Sequence, residues 1–167
     1  LAGRAETVRI GIGADVLFEG RPMRVVQGEG RQVRLMPTEI MVPGDPDNAA
    51  ARVQGFLKER ARARLVAASD RYAARLGREY SRLTLRDTRS RWGSCSSRGA
   101  LMFSWRLVMA PACVLEYVAG HEVAHLAQMN HSPRFWQVVE DIHGPYEAPR
   151  RWLRENGETL HRYRFAD

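Results

Sequence analysis

The chain has 167 residues and a mass of 19.0 kDa, the size of one packed domain or a domain with a small appendage. No apolar run approaches the roughly 18 residues of a membrane span and no signal-like segment opens the chain, which speaks against a membrane-bound protein. The net charge is +7, carried by arginine apart from the lone Lys58.

A basic chain raises the question of nucleic acid. Here the arginines are spread out and alternate with Glu59, Asp70 and Glu79, as on a solvated face. The tryptophans show no repeated aromatic-basic motif. Arginine in place of lysine throughout suggests a GC-rich genome, so nucleic acid is not the favoured partner. Cys95 and Cys113 lack C-x-x-C spacing and are expected as reduced thiols of a cytoplasmic protein. The chain opens on Leu1 rather than Met, which leaves room for upstream residues.

Residues 1–44 read as a β-rich segment. Short apolar or alternating runs (Val8-Ile10-Ile12, Val16-Phe18, Met23-Val25, Val33-Leu35, Ile40-Val42) are divided by turn dipeptides at Glu19-Gly20 and Glu29-Gly30, predicting β-hairpins. Gly11 and Gly13 lack the third glycine and helix start of a nucleotide loop. Pro43-Gly44 ends the segment.

Residues 45–78 predict one long scaffold helix, with Asp45 as N-cap, Pro46 in its first position and Gly77 as C-cap. Val53, Leu57, Ala61, Leu65, Ala68, Tyr72 and Leu76 form one apolar stripe. Unbroken, it would span about 46 Å.

Residues 79–167 carry the chemistry. Leu83, Leu85 and Asp87 predict a strand, Arg91 to Ser94 a second and Met102 to Trp105 a third. Trp92 and Trp105 read first as core residues. Pro111 opens a helix whose Val114, Leu115 and Val118 face the core. It leads to His121-Glu122-Val123-Ala124-His125. Histidines four apart on a helix share one face and can hold one zinc ion, while Glu122 can activate the zinc-bound water as general base. His131 supplies a third ligand only if the helix stops first, since on a continuous helix it would lie about 9 Å beyond His125. Asn130 is the expected left-handed helix end, with Ser132 and Pro133 as N-cap and first residue of the next helix. Phe135 and Trp136 are expected to pack that helix under the site. Pro145 is expected to open a last helix running to Asn156-Gly157. One Zn²⁺ per chain is implied, with no cysteine in the ligand set because catalytic zinc keeps a water position.

Arg91-Trp92-Gly93-Ser94-Cys95, Pro111, Tyr117-Val118, the H-E-x-x-H segment, Asn130-His131-Ser132 and Phe135-Trp136 together resemble the YgjP-like metallopeptidase family, related to SprT-like zincins. The resemblance covers about residues 80–162. It implies an α+β fold in which N-terminal hairpins and a scaffold helix precede a zincin-like, gluzincin-type core, with a small sheet over the H-E-x-x-H helix. It also implies zinc held by His121, His125 and His131, and substrate lined by the 91–106 hairpin through Arg91, Trp92, Gly93 and Ser94. The spacing equals that of metzincins, but Gln128 stands at their glycine position and no Met-turn follows.

A zinc-dependent peptidase acting on a peptide or protein is therefore the leading function, with Tyr146 as candidate oxyanion donor and Arg91 and His143 behind it. One alternative is a zinc hydrolase of a non-peptide substrate such as a nucleotide phosphoanhydride. Another is a nucleic-acid-associated module whose metal is structural.

Overall fold

Val53, Leu57, Ala61, Leu65, Ala68 and Tyr72 recur every three or four residues, and all six are buried along one stripe of helix α1 (Ala49–Leu76). In the computed structural model, which describes residues 6–166, this 28-residue helix runs about 42 Å. Asp45 does act as a cap, accepting from the Asp47 amide at 3.0 Å, but it caps a short 3-10 turn, Pro46–Asn48. The α-helix proper starts after that turn. Gly77 closes it in the left-handed conformation (φ 75°), its N–H shared between the Ala73 and Ala74 carbonyls. On the solvent side Arg64 pairs with Glu19 and Arg71 with Glu116.

The N-terminal strands β1 (Val8–Arg9), β2 (Asp15–Phe18), β3 (Arg21–Gln27), β4 (Arg34–Leu35) and β5 (Glu39–Val42) are only partly hairpins. Strands β2 and β3 are a true hairpin, turning through Glu19 and Gly20 at φ 51° and 81°, the positive pair that a tight type I′ turn demands. Strand β4 likewise folds back on β5. The two central strands, β3 and β5, are parallel, giving the order β2-β3-β5-β4. The reason is burial: Met23, Val25, Ile40 and Val42 all reach the core from adjacent strands, whereas Leu35 is 36% exposed and serves at the edge. The expected run through Ile12 also stops early. Strand β1 leaves this sheet to pair in parallel with β9 (Tyr163–Arg164), and Ile12 lies exposed in the turn at Gly11 to Gly13.

In the third section β6 (Arg82–Arg86), β7 (Gly93–Cys95) and β8 (Ala100–Ser104) form a sheet of order β6-β8-β7. Central β8 buries Leu101 and Phe103, then enters a wholly buried 3-10 turn, Trp105–Met109. Trp105 is 1% exposed and meets Phe165 edge-on at 5.4 Å, so it is a core residue. This turn and helix α2 (Ala112–Ala124) both lie against α1. Helices α3 (Pro133–Ile142) and α4 (Glu147–Asn156) close around α2. Pro145 lies two residues before α4 rather than at its first position. Helix α4 ends at Asn156 with Gly157 as its cap, as expected, and the chain continues at φ −57° into a further 3-10 turn, Gly157–Arg162. One cluster of buried side chains draws on all three sections of the sequence. No helix among the described residues is long and apolar enough to cross a membrane.

Arg106, 5% exposed, anchors the C-terminal segment to the sheet. Its guanidinium grips Asp87 at 2.7 and 3.2 Å and donates to the Leu160 and Tyr163 carbonyls at 2.9 and 3.1 Å. Burial works against ionising Asp87, but the Arg106 hydrogen bonds and charge overcome it and hold the carboxyl below its ordinary value. The stabilisation is present above the unfolded carboxyl range near pH 3.9 and is lost as pH falls through the lower folded value. Asp87→Asn should therefore cost about 1–3 kcal/mol at pH 7, discounted for the half-exposed carboxylate, with the deficit shrinking below about pH 4. Urea unfolding at both pH values reads this directly, and a deficit independent of pH would remove the charge argument.

Candidate metal centre

Helix α2 is apolar nearly all round and, beyond its first turn and Glu116, largely buried, so what its C-terminal half carries is carried into the interior. Its last turn presents His121 and Glu122, and it stops at His125. The stop is a tightening of the final turns. The amides of His125, Leu126 and Ala127 bond three residues back, to the carbonyls of Glu122, Val123 and Ala124 at 3.1, 2.9 and 3.0 Å. Asn130 does not end the helix: among the described residues Glu19 is the only non-glycine with positive φ, and the turn is complete before Asn130. The expected reversal is nevertheless present. Ser132 caps α3, accepting from the Phe135 amide at 3.4 Å with Pro133 in the first turn, and the loop returns His131 to the end of α2.

The three imidazoles converge. Their ligating nitrogens all lie within 4.8 Å of one another, and Nε2 of His121 and Nε2 of His131 are 3.3 Å apart. Two nitrogens at about 2.05 Å from a tetrahedral ion would be separated by roughly 3.3 Å, so the cluster fits a metal of zinc's size. Phe135 forms the floor. It is fully buried, stacks on His125 at 4.4 Å and meets His121 and His131 edge-on at 4.9 Å each. Trp136 adds a wall at 5.5 Å from His121 and 6.1 Å from His131.

Two contacts orient the rings. Nδ1 of His125 lies 3.0 Å from the Gln128 carbonyl, which can only accept, so Nδ1 carries the proton and Nε2 keeps its lone pair. The Tyr117 hydroxyl lies 3.2 Å from Nδ1 of His121 and can accept its proton in the same way. Burial, and then the other two histidines, push His121 down to about 3. Burial also lowers His125, against the opposing Gln128 bond. Both rings are neutral, the form a metal needs. Tyr117, raised to about 12 chiefly by burial, stays a neutral phenol. The sequence reading missed Tyr117 and Gln128 as partners. Tyr117 lies four residues before His121, on the same face of α2, which was the available signal.

Glu122 is 7% exposed and is pushed up to about 7 by burial, with the Arg91 charge acting in the opposite direction. Strand β7 approaches it closely. A Cβ on Gly93 would come within 2.9 Å of Glu122 Cγ and 3.1 Å of both the Met102 carbonyl oxygen and Phe103 Cδ1. Only glycine lets the strand pass this near. Ser94, paired with Met102, and Arg91 line an open groove on the sheet, Ser94 on the face opposite the one Gly93 turns towards Glu122. The Trp92 indole points elsewhere, stacked on His161 at 5.0 Å and against Gly157.

Tyr146 meets Trp136 at a tilt at 4.9 Å and stacks on Tyr117 at 6.5 Å, in the ring of aromatics around His121. One turn further on, Arg150 sits over Trp136 at 4.5 Å, a basic group near the site that sequence reasoning did not single out. His143 packs against Tyr72 and Tyr117 as a half-buried filler.

The profile of the YgjP-like metallopeptidase domain matches residues 4–156, nearly the whole chain. The chain belongs to this family. This YgjP-like protein also resembles a solved structure, the crystal structure of the metallopeptidase zymogen of Pyrococcus abyssi abylysin. Identity is 19% and TM-score 0.48, over 56% of this chain and 93% of that one. No curated protein sequence matches it. The YgjP-like chain is accordingly a mixed α+β metallopeptidase homologue with a three-histidine cluster able to bind a metal.

Tyr117→Phe removes the hydroxyl at His121 Nδ1 while keeping the ring. It should weaken Zn²⁺ binding about tenfold, the lower range for a lost orienting partner. Competition against a chromophoric chelator measures this. Unchanged affinity would show that the hydroxyl does not orient the ligand.

Proposed function

We infer that this YgjP-like protein is a zinc peptidase in which His121, His125 and His131 hold the ion and Glu122 is the general base. The observation that carries this reading is the contact between Gly93, on a strand edge, and Glu122. When bound, zinc supplies Lewis acidity and brings the pKa of water to near 7.

The remaining steps belong to the chain. Glu122 accepts the proton of the attacking water on a carboxylate oxygen and returns it to the departing amine. Its position next to His121 on α2 fixes it beside the ligand cluster.

Strand β7 supplies the place for the substrate. The Ser104 amide bonds the Trp92 carbonyl, and the Ser96 amide bonds the Ala100 carbonyl. In an antiparallel pair the residues between, Gly93 and Cys95, then direct their N–H and C=O groups to the outer edge. An extended peptide can pair there as an added strand, which draws its backbone along Glu122. Arg91 and Ser94 would contact its side chains, and Tyr146 is assigned the oxyanion hydroxyl from its place in the aromatic wall.

Zinc-loaded protein should hydrolyse an unstructured polypeptide. Glu122→Gln should lower the rate by about 10²–10⁴ at unchanged metal content, because only the proton acceptor is lost. Nucleoside triphosphates tested in parallel should survive. Triphosphate hydrolysis without proteolysis would replace the peptidase reading with phosphoanhydride chemistry. A Glu122→Gln enzyme of normal activity would remove Glu122 as the base.

A further inference from the structure

The open face of the β6-β8-β7 sheet has a composition that hydrolysis of a peptide bond does not require. Register places Arg82, Thr84 and Arg86 of β6 on one side, across from Ala100, Met102 and Ser104 of β8. Ser94 of β7 continues the row from Thr84 and Met102. The loop between β6 and β7 adds Thr88 and Arg91. All of these except the buried Ser104 line one groove, which Cys95 and Ser96 continue along β7.

Three guanidiniums and four hydroxyls face this groove, and no carboxylate lines it. By contrast, Arg24, Arg64 and Arg71 each pair with a carboxylate, Asp15, Glu19 and Glu116. Arg82, Arg86 and Arg91 are exposed and, among the described residues, form no ion pair. Three unpaired cations on one concave face repel one another, and an anionic guest relieves that repulsion.

The shape narrows the guest. The groove is open and runs beside the outward backbone groups of Gly93 and Cys95, so it accommodates a chain in extended form. Side chains of an added strand project alternately, and every second one would fall towards the arginine face. Guanidiniums bind carboxylates as paired N–H forks, and the threonine and serine hydroxyls can donate to the same oxygens. No aromatic side chain lines the groove to stack a base, which favours a polypeptide over single-stranded nucleic acid.

We propose that Arg82, Arg86 and Arg91 make this face a recognition groove for acidic side chains, so that the substrate is an extended, Asp- and Glu-rich polypeptide segment. The proposal rests on the peptidase reading for what happens next, but the groove can be tested without catalysis. The full-length Glu122→Gln protein, loaded with zinc, is titrated into a fluorescent acidic peptide and into its Gln/Asn counterpart, with anisotropy as readout.

The acidic peptide should bind about tenfold or more tightly than the neutral one, and weaken with added salt. Adding Arg82→Glu and Arg86→Glu should abolish that preference. The charge-matched control, Arg34→Glu with Arg151→Glu on other elements, should change it less than about twofold. Thermal unfolding of each variant checks that the exposed substitutions leave the fold intact. Equal binding of both peptides, or an equal loss in the control, overturns the proposal. Tighter binding of single-stranded oligonucleotide than of acidic peptide overturns it in favour of nucleic acid. Acidic-peptide binding with no cleavage by the unmutated enzyme sinks the peptidase reading and leaves the groove standing.

Discussion

Phe135 touches all three histidines, and the geometry of the three-histidine cluster depends on that contact. His121 and His125 belong to the end of one helix and His131 to the loop before the next, so nothing in the covalent chain fixes the third ring on the first two. The buried phenyl ring does so: it lies flat on His125 and edge-on to the others. Its own place is set by the Ser132 cap, which starts α3 one turn before it. The positioning of the ligands is thus a packing problem solved by an aromatic side chain, at the cost in conformational freedom that any ordered loop carries.

Burial then does the electrostatic work. Helix α2 sits inside the molecule because it is apolar on nearly every face, held between α1 and the smaller helices. Desolvation keeps His121 and His125 neutral, and the same desolvation raises the Glu122 carboxyl towards neutrality. One cause therefore acts on the histidine cluster and on the carboxyl proposed as base together. The close passage of Gly93 completes the arrangement by bringing a strand edge to Glu122, where a side chain of any size would have kept it away.

Much of this was legible in the residues. The stripe from Val53 to Tyr72, the Gly77 terminus, the Ser132-Pro133 start and the convergence of three histidines follow from local rules of spacing and capping. What was not legible depends on partners distant in sequence. Parallel pairing of β3 with β5, and of β1 with β9, is decided by which faces bury Val25, Ile40 and Ile10, and no turn dipeptide encodes that. Asn130 looked like a helix end because its side chain permits one, yet three-residue bonds at His125 to Ala127 had already closed the turn. Trp92, adjacent to the edge strand, read first as a core residue while the resemblance set it at the substrate, and the stacking of its indole on His161 needed the folded C-terminal segment. The role of Tyr117 required the His121 ring orientation, which a sequence does not state.

The central claim is that three histidine nitrogens alone anchor the metal, leaving the remaining position open for chemistry. X-ray absorption at the zinc edge of the loaded protein tests it most directly. The account predicts three imidazole nitrogens and one light oxygen scatterer, all at about 2.0–2.1 Å. A sulfur scatterer near about 2.3 Å would place Cys95 or Cys113 in the ligand set, close the open position and contradict the account.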